Sequence, residues 1–146
     1  MIKKYNILII LFFSISLIVN ALSANNFFIE AKKNFDEKNY DASKFLFQRN
    51  IVFNPKDENS YLYLAKIFNI EENEPEKEKN INTVLLLNPK NEEAISILME
   101  IELKKSNYSK VRELMENFTK VCIKLCDNKN SILQSLKNLE PKNESQ

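Results

Sequence analysis

The sequence predicts an all-α protein: a right-handed α-solenoid of about three helix–turn–helix repeats plus a C-terminal capping helix, after an N-terminal signal peptide. Three observations predict it. The 146 residues include no glycine, no histidine and no tryptophan, so the tight type I′ hairpins of an antiparallel meander lack their preferred residue. Two short strings recur 34 residues apart, the period of a stacked helix–turn–helix unit. Between them, apolar residues fall at i, i+3, i+4 and i+7, the stripe of an amphipathic helix.

The same absences narrow the function. Phosphate-cradling loops, dinucleotide fingerprints and the nucleophile elbow all need glycine. Ser-His-Asp and Cys-His nucleophiles and histidine-containing metal sites need histidine. No carboxylate pair stands out from the solvated charges as an acid/base couple. The reading is therefore non-catalytic, with no catalytic residues, no metal and no cofactor. A formal net charge of +1 carries no basic excess of the kind that binds nucleic acid.

Residues 1–23 read as a cleavable signal peptide. Met1-Ile2-Lys3-Lys4 is a short basic start, Ile7 to Val19 is an uncharged apolar run, and Ala21-Leu22-Ser23 offers small residues for cleavage after Ser23. The run is shorter than the roughly 20 residues of a permanent membrane helix, and no cysteine follows it to take a lipid. The expected location is exported, most naturally periplasmic, with inner-membrane anchoring if the segment is retained.

The helical domain is expected over 24–140. Ile51-Val52-Phe53-Asn54-Pro55-Lys56 recurs as Leu85-Leu86-Leu87-Asn88-Pro89-Lys90, and Lys38-Asn39-Tyr40 recurs two periods on as Ser106-Asn107-Tyr108. In Glu58 to Ile70, Tyr61, Leu64, Ala65 and Phe68 form one stripe, with Asp57 as N-cap. Pro75 opens the next helix, where its missing N–H costs nothing, and Ile81, Val84, Leu85 and Leu87 form the inner face. Asn91 caps a helix with Ala94, Ile97, Leu98 and Ile101 inward; Asn107 starts another with Val111, Leu114, Met115 and Phe118 inward. The run Glu71 to Lys79 reads as a solvated loop and helix start. Helix pairs joined by Asn-Pro and Asn-Tyr corners are expected to need no left-handed glycine at each turn.

Cys122 and Cys126 arrive where a third Asn-Pro corner is due. In an exported chain an even cysteine count suggests a disulfide. Residues four apart on an intact helix have Cβ atoms about 5–6 Å apart, whereas a bridge needs roughly 3.5–4.5 Å, so a bridge requires the helix to end near Cys122. The alternative is two reduced, buried thiols on one helix face. A capping helix is expected over Ser131 to Leu139, burying Ile132, Leu133, Leu136 and Leu139. Pro141 stops it, and 141–146 reads as a disordered tail.

On these residues the chain resembles the tetratricopeptide repeat family, over roughly Ala24 to Val121. Phe27, Tyr61 and Ile95 match its early large apolar site, and Ala31 and Ala65 its small site, where Met99 departs. Tyr40 and Tyr108 match the opening of the second helix, where Glu74 departs. Phe47, Ile81 and Met115, then Phe53, Leu87 and Val121, match its later buried sites, and Pro55 and Pro89 end the unit, where Ile123 departs. Asn34, Asn50, Lys77 and Glu102 stand at sites usually apolar or small.

The resemblance implies a partner-binding concave groove lined by Asn25, Phe28, Lys32 and Phe35 in the first unit, Asn59, Leu62, Lys66 and Asn69 in the second, and Glu93, Ser96 and Glu100 in the third. Lys32 and Lys66, one period apart, would hold a carboxylate or an extended peptide backbone; the alternative is that they are merely solvated charges. The implied function is an exported adaptor that binds a protein or peptide. The alternative is a structural subunit anchored by an uncleaved N-terminal helix and docked onto a cell-envelope complex.

Overall fold

A computed structural model describes residues 27–139, so the signal segment and the tail expected from the sequence lie outside the described residues. The described residues form seven α-helices and no strand. These are α1 (27–36), α2 (Tyr40–Phe53), α3 (Glu58–Ile70), α4 (Glu74–Leu87), α5 (Glu92–Lys104), α6 (Tyr108–Val121) and α7 (Asn128–Leu139). The described residues divide into two compact units, with the division between Ile67 and Phe68 inside α3.

Turns within each helix pair share one geometry. Lys38, Glu72 and Ser106, spaced 34 residues apart, adopt positive φ values of 62°, 57° and 58°. After each, an asparagine N–H donates to the carbonyl five residues back: Asn39 to Asn34 at 2.8 Å, Asn73 to Phe68 at 2.8 Å, Asn107 to Glu102 at 2.9 Å. This is the helix end that glycine normally makes. These three corners do without a left-handed glycine, as expected, but not without the left-handed backbone. They use it and place non-glycine residues there, at roughly 1–2 kcal/mol each.

Turns between pairs follow the expected Asn-Pro pattern. Asn54 and Asn88 end α2 and α4 with φ of −135° and −139°, which any residue adopts. The next Asx residue closes the corner, Asp57 N to Asn54 O and Asn91 N to Asn88 O, both at 3.1 Å. Asn91 then caps α5, its side chain accepting from Ala94 N at 3.0 Å.

In the first unit, α1 lies against α2 through Ser43 Oγ, which donates to Ala31 O at 2.9 Å, with both residues fully buried. Asn50, at 2% exposure, is the polar residue at a usually apolar site. Its Nδ2 donates to Asp57 at 2.7 Å and Ser60 Oγ at 2.8 Å, which satisfies the donor half of the buried amide, while its Oδ1 is buried without a hydrogen-bond partner. Phe53, expected in the core, is 44% exposed and stacks on Phe27 at 5.5 Å instead.

In the second unit, α5 is central: eight of its 13 residues are buried, and α4, α6 and α7 all pack against it. The inner face of α6 is the expected quartet of Val111, Leu114, Met115 and Phe118. Lys77, expected in a solvated run, is 4% exposed. It is held by Glu74 at 2.6 Å and by Asn69 at 3.1 Å, so its charge is paired where it is buried. Glu102, also buried, accepts from Asn107 Nδ2 at 2.7 Å. The capping helix begins earlier than expected and buries Ile132 and Leu136, but its last residue, Leu139, is 54% exposed.

Candidate functional site

In the first unit three phenylalanines, Phe28, Phe35 and Phe47, gather around Tyr63 of α3. Phe28 and Phe35 reach it from α1, with ring centroids 6.0 and 5.0 Å away in T-shaped geometry. Phe47 of α2 stacks on it at 4.9 Å. Such contacts add about 0.5–1.5 kcal/mol per pair beyond burial. Spacing explains the gathering. Phe28, Ala31 and Phe35 are i, i+3 and i+7 on one side of α1, which turns toward α2 and α3.

Two cations flank this cluster. Lys66 Nζ lies 4.9 Å from the centre of the Tyr63 ring, close enough for a cation–π contact. Lys32 Nζ donates to Asp36 at 2.8 Å. That hydrogen bond, followed by the field of the Tyr63 phenol, raises the Lys32 pKa above its ordinary value. Lys66 thus stands over the Tyr63 ring, and Lys32, one turn from Phe28 on α1, has Asp36 as its counter-charge.

The other expected groove residues divide. Asn25 lies outside the described residues. Asn59 is exposed, whereas Leu62 is only 6% exposed and belongs to the core. In the second unit Asn69 is exposed and accepts from Lys77, Glu93 is half-buried and Glu100 is exposed. Ser96 is 4% exposed, and its hydroxyl accepts from Asn128 Nδ2 at 3.1 Å, so it anchors α7 rather than facing solvent. Leu62 and Ser96 are thereby corrected from surface to interior positions. Tyr63 is the residue that reading the sequence missed. The stripe through Tyr61, Leu64, Ala65 and Phe68 left it on the opposite side of α3, and only the aromatic excess of α1 and α2 hinted at a partner for it.

Cys122 and Cys126 stand at disulfide distance, with Cα atoms 5.3 Å apart. Cys122 ends α6 with extended backbone, which meets the requirement that the helix stop there. Among the described residues, no group of three or more His, Cys, Asp or Glu side chains could hold a metal ion, and no helix is long and apolar enough to cross a membrane.

At the level of sequence, no family model matches the chain and no curated protein matches it. Solved structures do match by fold. The first tetratricopeptide domain of Spaghetti (RPAP3), bound to the HSP90 peptide SRMEEVD, superposes with a TM-score of 0.68 at 14% identity, covering 80% of this chain and 94% of that one. The TPR2B domain of yeast Sti1, in complex with pHsp70, gives 0.70 at 13% identity, covering 82% and 99%. The Sgt2 tetratricopeptide domain from Aspergillus fumigatus gives 0.64 at 14% identity, covering 80% and 78%. With its helix pairs at a 34-residue period, the chain has the all-α helical-repeat fold of a tetratricopeptide domain.

Proposed function

We propose that this chain is an exported, non-catalytic adaptor that holds an extended segment of a partner protein against the aromatic face of its first unit. The observation that carries the reading is Lys66 over the Tyr63 ring at 4.9 Å, with Lys32, paired with Asp36 at 2.8 Å, one turn from Phe28 of the same cluster. A cation beside a half-buried aromatic face offers charge-assisted hydrogen bonds to a carboxylate together with apolar contact for a neighbouring side chain. Two of the matching domains were solved with partners, an HSP90 peptide and pHsp70, which supports a peptide as the ligand class here. Exposed Asn59 extends the polar lining.

Crosslinking pull-down from the source cells, with the wild-type chain and a Lys32→Glu, Lys66→Glu variant, tests the site. The variant should lose the captured partner while keeping its far-UV circular dichroism; an unchanged catch sinks the reading. Export rests on the basic start and the apolar run from Ile7 to Val19. N-terminal sequencing of the cellular protein tests it, with a start at Ala24 expected and a retained Met1 favouring a membrane-anchored subunit.

A further inference from the structure

Three positions 34 residues apart end the second helix of each pair: Asn54, Asn88 and Cys122. The N–H of each donates four residues back, to Asn50, Val84 and Phe118, at 2.7 to 2.8 Å. In the first two corners a proline comes next, which blocks continuation of the helix, and then an Asx residue that starts the next one. The third corner has neither, since Ile123 replaces proline and Leu125 replaces Asx. Two other devices hold it. The sulfur pair closes residues 122–126 on themselves, and the Glu92 carboxylate of α5 accepts from Lys124 N at 2.9 Å and Leu125 N at 2.8 Å.

The placement of α7 depends on this corner. α7 is tied to α5 by the Asn128–Ser96 hydrogen bond and to α6 by Tyr108 Oη, which donates to Leu139 O at 2.8 Å. Leu133 and Leu136 of α7 share with Met115 of α6 the groove between the two helices. A closed bridge and a continuous helix through 122–126 exclude each other, because an unbroken helix holds those Cβ atoms about 5–6 Å apart. No proline or glycine lies between Val121 and Cys126 to stop α6 once the bridge opens. Cys126 is exposed and Cys122 half-buried, so a thiolate in solution has access to the pair.

We propose that Cys122–Cys126 is a thiol–disulfide exchange site and that its state decides whether α7 stays docked on α5 and α6. The reactant is a dithiol. One of its thiolates attacks Cys126 Sγ, the bond to Cys122 breaks, and Cys122 leaves as a thiolate that takes up a proton. The second thiol of the reactant resolves the mixed disulfide and frees Cys126. Two electrons pass to the protein pair, and the reactant leaves as a disulfide. In the open form α6 runs on past Cys122, the Lys124 and Leu125 amides leave Glu92, and α7 comes away from Met115.

Amide hydrogen exchange on the full chain tests this, with the protein oxidised, reduced with dithiothreitol, and carrying Cys122→Ser and Cys126→Ser together. Reduction should lower protection over 128–139 by about tenfold or more while protection over 94–103 changes by less than about twofold. The double variant should match the reduced chain with or without dithiothreitol, and reoxidation should restore the wild type. Unchanged protection over 128–139 overturns the proposal. So does a loss that spreads over 94–103, or two free thiols in protein purified without reductant. None of these outcomes bears on the aromatic face of the first unit.

Discussion

Within each helix pair the chain reverses through a left-handed residue, Lys38, Glu72 or Ser106, whereas between pairs it reverses through the extended backbone of Asn54 and Asn88. The first kind needs a backbone geometry that these side chains resist. The second needs only residues that stop one helix and start the next, which Asn, Pro and Asx supply. Without glycine the two kinds differ in cost. The inner turns carry local strain that packing of the pair must overcome, while the outer corners carry none, and the third outer corner replaces proline with a covalent tie. Chemically different residues thus keep one period because the helix pairs they connect bury the same faces.

The largest break in that comparison should come at the third outer corner. Replacing both cysteines with serine removes the closure of a five-residue loop, for which the chain-entropy model gives about 2 kcal/mol. Urea unfolding of oxidised wild type against the double variant measures it. Pro89→Ala at the corresponding place should cost only about 0.4–1 kcal/mol; equal losses would mean that the cysteine corner is no more than another proline corner.

Glycine substitution should then separate the two kinds of turn by sign. Lys38→Gly, Glu72→Gly and Ser106→Gly should each stabilise by about 0.5–1 kcal/mol, because relief of the left-handed conformation exceeds the added freedom of the unfolded chain. Asn54→Gly and Asn88→Gly should destabilise by about 0.5–1 kcal/mol, since they add freedom and relieve nothing. Matching signs at the two sets would remove the distinction.

The smallest effect is one of pH. Backbone donors, Leu125 first, hold the Glu92 carboxyl below the usual carboxylate range. A depressed pKa contributes stability that is present above the unfolded value, about 4.3 for glutamate, and is lost as pH falls through the folded value. Docking of α7 should therefore loosen only in acid, and Glu92→Gln should remove that dependence. Hydrogen exchange over 128–139 as a function of pH reads it.

Much of the fold could be read from spacing alone. The bounds of α3, the Asn91 cap and the buried quartet of α6 each come from residues within one or two turns of each other. What escaped depended on partners farther along the chain or on a missing signature. Lys77 reads as solvent-facing until Glu74 and Asn69 are brought to it. The left-handed turns were hidden because the residue that normally marks them is absent. At the candidate site, the resemblance to the tetratricopeptide family implied Phe28, Phe35, Lys32 and Lys66, but it took Leu62 for a surface position and passed over Tyr63, one residue on. A stripe on a helix says which residues lie together, and the neighbouring helices decide which stripe is inside.

The central place of α5 carries a consequence for the time course of folding. A helix packed against its two sequence neighbours, α4 and α6, gains contacts at little loop-closure entropy. The second unit should therefore condense around α5, with α7 joining after the barrier is crossed. Ile95→Val in α5 should slow refolding, whereas Leu136→Ala in α7 should mainly speed unfolding. Stopped-flow rates for the two variants would reveal that order, and the reverse pattern would place α7 in the nucleus.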